Sequence, residues 1–282
     1  MCTAVASLVL ALRSFARGLP LFLAARPGTP LRVLCLMAFD TLHRLRHAKP
    51  LPKPRLQLLG ALLDFGACAN AVFDHKGCTR GEYRTTLRLL DEGGIGLSAA
   101  EYLHRLGDLE SRRPRPGDGD WQEVRLYREA VVRLSLGMVA ATANGNPCLD
   151  EAIRATREDA DLNLLFRIVM QCQIIDDVLD YSQDLSVGLP SFLTACHSLP
   201  RAFDLTRLAA LAYADDPDLP RIADLFALRS ALVLVSTCAK LVIAFGRWRL
   251  DFSRRGSIHN PTVITVPGIQ PGAGRSLQRS ST

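Results

Sequence analysis

Lysine is scarce in this chain. Only Lys49, Lys53, Lys76 and Lys240 occur, and arginine carries the rest of the basic charge. The arginines are scattered among acids and no dense basic block forms. The net charge of +6 therefore does not mark a nucleic-acid-binding surface. It suits an anionic small substrate or an anionic membrane surface. Aromatic residues are also few, at 6% of the chain, and long alternating β-branched runs are missing. Leu and Ala dominate the 48% that is hydrophobic, which points away from sheets and toward helices.

The eight cysteines (Cys2, Cys35, Cys68, Cys78, Cys148, Cys172, Cys196 and Cys238) include no pair at CxxC spacing. That argues against zinc and against a disulfide framework. The plain reading is buried, reduced thiols in a reducing compartment, and so a cytoplasmic protein. His75, His104 and His197 stand alone. No stretch reaches about 18 uninterrupted apolar residues, so no membrane span is predicted. The nearest approach, SALVLVSTCAKLVIAFGRW, carries Lys240 in its middle. Acidic residues are missing from Met1 to Phe39, where Arg13, Arg17, Arg26 and Arg32 lie. That is the make-up of an organelle presequence, yet its apolar content suits a first core helix better.

Helical patterns recur along the chain with short breaks. Helices are predicted to open near Pro30, Pro54, Thr79, Ser98 and Trp121. Thr79 with Glu82, and Ser98 with Glu101, have capping-box spacing. The segment DEAIRATREDADLNLLFRIVMQCQIIDDVLDYSQDL reads as either one long helix or two. The expectation is an all-α, single-domain helical bundle of about ten helices over residues 1–252. Residues 253–282 hold no acid and are rich in Gly, Pro and Ser, which reads as a disordered tail.

The stretch QCQIIDDVLDYSQDLSVG sets four aspartates into an apolar run. On a helix, measured from Gln173, Asp176, Asp177, Asp180 and Asp184 fall at roughly −60°, +40°, −20° and +20°. They share one stripe and repel each other unless something positive lies between them. A solvated acidic face is the bland reading. Its context opposes it: LNLLFRIVMQCQII just upstream is too apolar for an exposed helix, and no lysine is interleaved. A magnesium site is the sharper reading, because hard cations take carboxylates, water and substrate phosphates.

DDVLD resembles the DDxxD motif of the trans-prenyl diphosphate synthases. The wider pattern from Gln173 through Asp176, Asp180 and Asp184 to Gly188 resembles the second aspartate motif of squalene and phytoene synthases. The likeness covers residues 56–200 in order, with its specificity concentrated in 173–188. It implies the all-α bundle of the class I isoprenoid synthases, with a central cavity and Mg²⁺ bound to a substrate diphosphate. An earlier acidic helix should then face the stripe, and ACANAVFDHKGCTRGEYR is the candidate. Asn70 and Asp74 stand for the family's D-x-x-x-D. The departures are Asn70 for an aspartate, Ala71 for the second Asp of a DDxxD, and Thr79 for one arginine. The Gly-Lys-Arg-x-Arg segment of chain-elongating enzymes is missing. A helix end stopped at Gly77 explains this segment equally well. Asp64, ten residues before Asp74, is a further acid that could face the same mouth.

The resemblance implies a Mg²⁺-dependent prenyltransferase that ionises an allylic diphosphate and forms a C–C bond. Squalene/phytoene-type condensation is favoured over chain elongation or cyclisation. Catalysis falls to Asp176, Asp180 and Asp74. Metal binding falls to Asp176, Asp177, Asp180, Asp184, Asn70 and Asp74. Lys76, Arg80, Arg84 and Gln173 would bind the diphosphate, and Tyr181 adjoins the stripe. The alternative is a catalytically degenerate helical partner or regulatory subunit of such a synthase. A homodimer and a peripheral membrane contact are compatible with either, and no nucleic acid is expected.

Overall fold

Arginine clamps, caps and two left-handed glycines set helix limits here. The computed structural model describes residues 30–73, 80–117, 120–145, 148–214 and 226–258, with Val5, Val9 and Arg13. Among the described residues there are ten α-helices and no strand. They are α1 (Pro30–His47), α2 (Lys53–Phe73), α3 (Arg80–Glu92), α4 (Gly96–Ser111), α5 (Trp121–Asn144), α6 (Leu149–Glu158), α7 (Ala160–Leu179), α8 (Tyr181–Val187), α9 (Leu199–Ala212) and α10 (Phe226–Ile258). The expected all-α bundle is what forms.

Helix α5 is the axis of the packing. It lies against α1, α2, α4, α6 and α7. Its N-cap Asp120 accepts from Gln122 N at 3.1 Å, satisfying one of the orphan amides of the first turn. Its C-cap Gly145 has φ 69°, a conformation only glycine takes cheaply. A Cβ there would also meet the Arg55 guanidinium at 2.6 Å, while Arg55 Nη1 donates to Ala143 O at 2.6 Å. Around α5 the side chains of Leu59, Phe65, Leu106, Met138, Leu164, Met170 and Ile174 are all but sealed from water. Each contributes roughly 1.5–3 kcal/mol by burial.

The question of one helix or two after Asp150 resolves as two. Asp159 is extended, at φ −87° and ψ 121°, and separates α6 from α7. Arg46 of α1 explains the break. It reaches Asp159 at 2.6 Å and holds buried Asp161 through a two-pronged contact. Such fork geometry fixes both acids and the turn between them.

Three expectations are corrected. The Ser98–Glu101 capping box does not form: α4 begins at Gly96 after Ile95, with no side-chain cap. Ser98 is buried inside the first turn, and Glu101 pairs with Arg105. The described cysteines carry free thiols, but Cys35, Cys68, Cys172 and Cys196 are only partly buried, and Cys148 and Cys238 are exposed. Burial, helped by neighbouring Cys172, pushes the Cys35 thiol up to about 11, so it stays a thiol. Finally, two helices have the length and apolarity of a membrane span, Lys53–Phe73 and Phe226–Leu250. A single internal Lys does not remove the second. The first is a core helix, with Leu59, Leu62, Phe65 and Ala69 buried.

The chain divides into two compact units, Met1–Arg247 and Trp248–Thr282. Helix α10 continues to Ile258, five residues past Ser253, where the tail was expected to begin. In the second unit, exposed Trp248 and Phe252 stack at 5.7 Å. The expected disorder of residues 259–282 and the Cys2, Cys78 and Thr79 expectations lie outside the described residues.

Candidate functional site: the acidic junction of α7 and α8

Val124 and Val132 are buried on α5, four residues either side of Arg128. At that spacing Arg128 must face inward too. A guanidinium so placed needs an anion. Asp177, buried to 2% exposure on the last turn of α7, supplies it. Arg128 Nη2 donates to Asp177 Oδ1 at 2.8 Å, and Nη1 donates to Gln173 Oε1 at 3.2 Å. The second oxygen of Asp177 accepts from Phe192 N at 2.7 Å.

Phe192 belongs to a loop that is itself buried from Pro190 to Ala195. Buried backbone must find partners, and here side chains provide them. Ser191 N donates to Thr194 Oγ1 at 2.7 Å, Thr194 Oγ1 donates to Leu189 O at 2.8 Å, and Gly117 N donates to Thr194 O at 3.0 Å. Phe192 packs on Trp121, with ring centroids 5.7 Å apart. Asp177 thus ties α5, α7 and this loop together. Burial pushes its carboxyl up to about 6, with Asp184 and Asp176 adding to the rise, against the pull of Arg128 and the Phe192 amide.

The stripe does not lie on one unbroken helix. Asp180, at φ −96° and ψ 10°, joins α7 to α8. Helical hydrogen bonds nonetheless cross it: Asp180 N donates to Asp176 O at 2.8 Å and Asp184 N donates to Asp180 O at 2.9 Å. The turn-to-turn alignment survives, but the carboxylates separate by depth. Asp177 is buried, Asp176 and Asp180 are exposed, and Asp184 is half-buried. Burial raises the Asp184 carboxyl, opposed by Arg128 and a hydrogen bond from Ser191, and reinforced by Asp180 and Asp176. Gly188 ends α8 at φ 68° with open space around it, so the last position of the motif has a conformational reason.

The structure places the other expected site residues as follows. Asp177, expected as a metal ligand, is corrected to a structural anion: both its oxygens are held by protein donors. Gln173, expected on a diphosphate, is held by Arg128. Asn70 is exposed on the last turn of α2, and Arg84 is exposed on α3. Arg80 opens α3, and its side chain lies outside the described residues, as do Asp74 and Lys76. Asp64 pairs with Arg32 at 2.7 Å, and burial raises its carboxyl. It lines a cavity of about 970 Å³ with Arg32, Arg55, Leu58, Glu92 and Gly145, between α1, α2 and the end of α5. A second cavity of about 500 Å³ is walled by Phe65, Tyr83, Leu103 and Gly107. Neither lining includes a residue of α7, so the expected cavity mouth at the stripe is not one of these two.

Arg128, Ser191 and Thr194 were missed in the sequence. Arg128 was findable from its place between Val124 and Val132. The loop partners leave no such trace. His43 and His47 also form an i,i+4 pair, their rings 4.5 Å apart, with His43 Nδ1 against Lys49 O. Among the described residues no three His, Cys, Asp or Glu side chains are grouped to hold a metal ion. The donor chemistry of Asp176, Asp180 and Asp184 still fits Mg²⁺, which needs only one or two carboxylates beside water and phosphate oxygens. Arg128 Nε is buried and has no hydrogen-bond partner among the described residues. It is one of several buried side-chain polar atoms in that state, Trp121 Nε1 among them, and an anion is a ligand that a guanidinium donor would take. Comparison with protein-family models, with curated proteins and with solved structures finds no match to this chain.

Proposed function

We propose that the α7–α8 junction binds a substrate diphosphate with Mg²⁺, and that the chain is a prenyltransferase acting on prenyl diphosphates. One observation carries this. Half-buried Asp184 lies within reach of the Arg128 charge, exposed Asp180 lies one turn before it, and the buried Nε of Arg128 has no hydrogen-bond partner among the described residues. Charge of both signs is thereby offered to a ligand at one place, at the end of an apolar core helix.

In this reading Asp176, Asp180 and Asp184 would hold the metal, which when bound supplies positive charge to a departing diphosphate. Arg128 has two tasks. It fixes Asp177 and Gln173, and it attracts the anion. Asp177 is a positioning residue: through Phe192 N it holds the 190–195 loop against the junction. The apolar flank of α7 keeps water from the reacting carbon chain. Condensation of the squalene/phytoene type remains the favoured reaction, on the spacing of the aspartates.

A second reading is a helical partner without catalysis. The cavity lined by Arg32 and Asp64 favours it, since no residue of the acidic junction lines that space. Mg²⁺ and inorganic diphosphate distinguish the two. Together they should raise the melting temperature more than the sum of their separate effects, because each completes the site for the other. Additive or absent shifts would remove the shared-site reading.

A further inference from the structure

Helix α1 stops on a left-handed residue that is not glycine. Ala48 takes φ 55°, the conformation on which helices commonly end and which glycine adopts most cheaply. Its amide donates to Arg44 O at 2.8 Å. The turn carries Lys49 O back over the end of the helix, where it meets His43 Nδ1 at 3.0 Å. A carbonyl oxygen only accepts, so Nδ1 carries the proton, and the lone pair of the neutral ring sits on Nε2. Metal-binding histidines are held in this way, with a backbone carbonyl on the nitrogen that does not ligate. His47 stands four residues on, on the same face of the helix. The two ring centroids are 4.5 Å apart. A metal ion about 2.1 Å from one nitrogen of each ring, with the two bonds at a right angle as in square-planar or octahedral sites, sets the centroids about 4.5 Å apart. His43 is half-buried and His47 is exposed, so the pair is open to an ion from solution.

The surroundings accept a cation. The last carbonyls of a helix carry partial negative charge, and His43 and His47 sit on the last two turns of α1. The neighbouring arginines are already matched, Arg44 by Asp40 at 2.8 Å, and Arg46 by Asp159 at 2.6 Å and Asp161 at 2.5 Å. Lys49 is exposed, and water and salt screen its charge. Ligand type then selects the ion. Neutral imidazole suits nickel, copper and zinc, whereas Mg²⁺ takes oxygen.

We propose that His43 and His47 bind a divalent transition-metal ion of the nickel, copper and zinc group at the C-terminal end of α1. The two rings supply two nitrogens, and water completes the coordination. The site shares no residue with the acidic junction of α7 and α8 and is independent of its chemistry.

Titration calorimetry of the full chain with Ni²⁺ tests it, in excess Mg²⁺ so that carboxylates are already occupied. The parent should bind Ni²⁺, and Mg²⁺ should not displace it. Losing even an outer partner of a metal site costs about 10–100-fold in affinity, so losing a ligand in His47→Ala should weaken binding roughly a hundredfold. His47 is exposed, so the melting temperature of that variant without metal should match the parent's. His104→Ala, at an exposed histidine of α4, should bind like the parent. Zn²⁺ followed by nuclear magnetic resonance gives a second readout: the ring protons of His43 and His47 should move together while those of His104 stay in place. No Ni²⁺ binding by the parent, or equal affinity in His47→Ala, overturns the proposal. So does a Zn²⁺ titration that leaves the His43 and His47 rings unmoved. Binding that survives His47→Ala and is lost on alkylation of exposed Cys148 and Cys238 would place the metal on thiols instead.

Discussion

Replacing Asp177 by Ala separates the role assigned here from that of a metal ligand. Removing one member of a buried ion pair costs roughly 3–5 kcal/mol, because Arg128 is left without its anion. The Phe192 amide, buried at 2.7 Å from Asp177 Oδ2, also loses its acceptor, at roughly 1–3 kcal/mol. Against this, the variant relieves the strain of holding a carboxylate in the interior. A carboxyl raised from 3.8 to about 6 corresponds to about 3 kcal/mol. The balance is a destabilisation of about 3 kcal/mol, or about 6–12 °C in melting temperature for a unit of this size. Thermal unfolding followed by circular dichroism, without metal, reads it directly. The pH dependence gives a second handle. Between pH 3.8 and about 6 the folded state keeps a proton on Asp177 that the unfolded chain has released. Its contribution is therefore full below that window and is lost as pH rises through it. Asp177→Asn should remove that downward slope. A fall of under about 3 °C for Asp177→Ala, or identical slopes for parent and Asp177→Asn, would refute the structural assignment.

Two further variants probe the same junction. Asp180→Asn should lower turnover by several orders of magnitude, as for loss of a charge stabiliser, and leave stability without metal unchanged or raised. A sharp fall in stability instead would make Asp180 a structural partner. Arg128→Met strands Asp177, whose folded pKa then rises further. That variant should lose more stability at pH 8 than at pH 5 relative to the parent, and equal losses at both would break the Arg128–Asp177 link.

The bundle was legible in the sequence because helix period, proline and glycine are local signals. Pro30 opens α1 as read, and Asn144-Gly145 closes α5. The break at Asp159 was not legible, since it depends on Arg46, more than a hundred residues earlier. The stripe could be drawn from spacing alone, and its alignment survives the junction at Asp180. What spacing could not give is depth. Adjacent aspartates look alike in sequence, yet Asp177 turns inward onto Arg128 while Asp176 stays exposed. The two apolar helices have similar buried shares over their apolar windows, 33% and 28%, but α10 exposes Val233, Leu234, Leu241 and Phe245 where α2 exposes Val72.

Release of diphosphate from farnesyl or geranylgeranyl diphosphate, with and without Mg²⁺, tests the central claim most directly. The parent chain should release it only with Mg²⁺ and yield a prenyl product, and Asp180→Asn should not. No release by a folded parent chain, or equal release by Asp180→Asn, would contradict a diphosphate site at the α7–α8 junction.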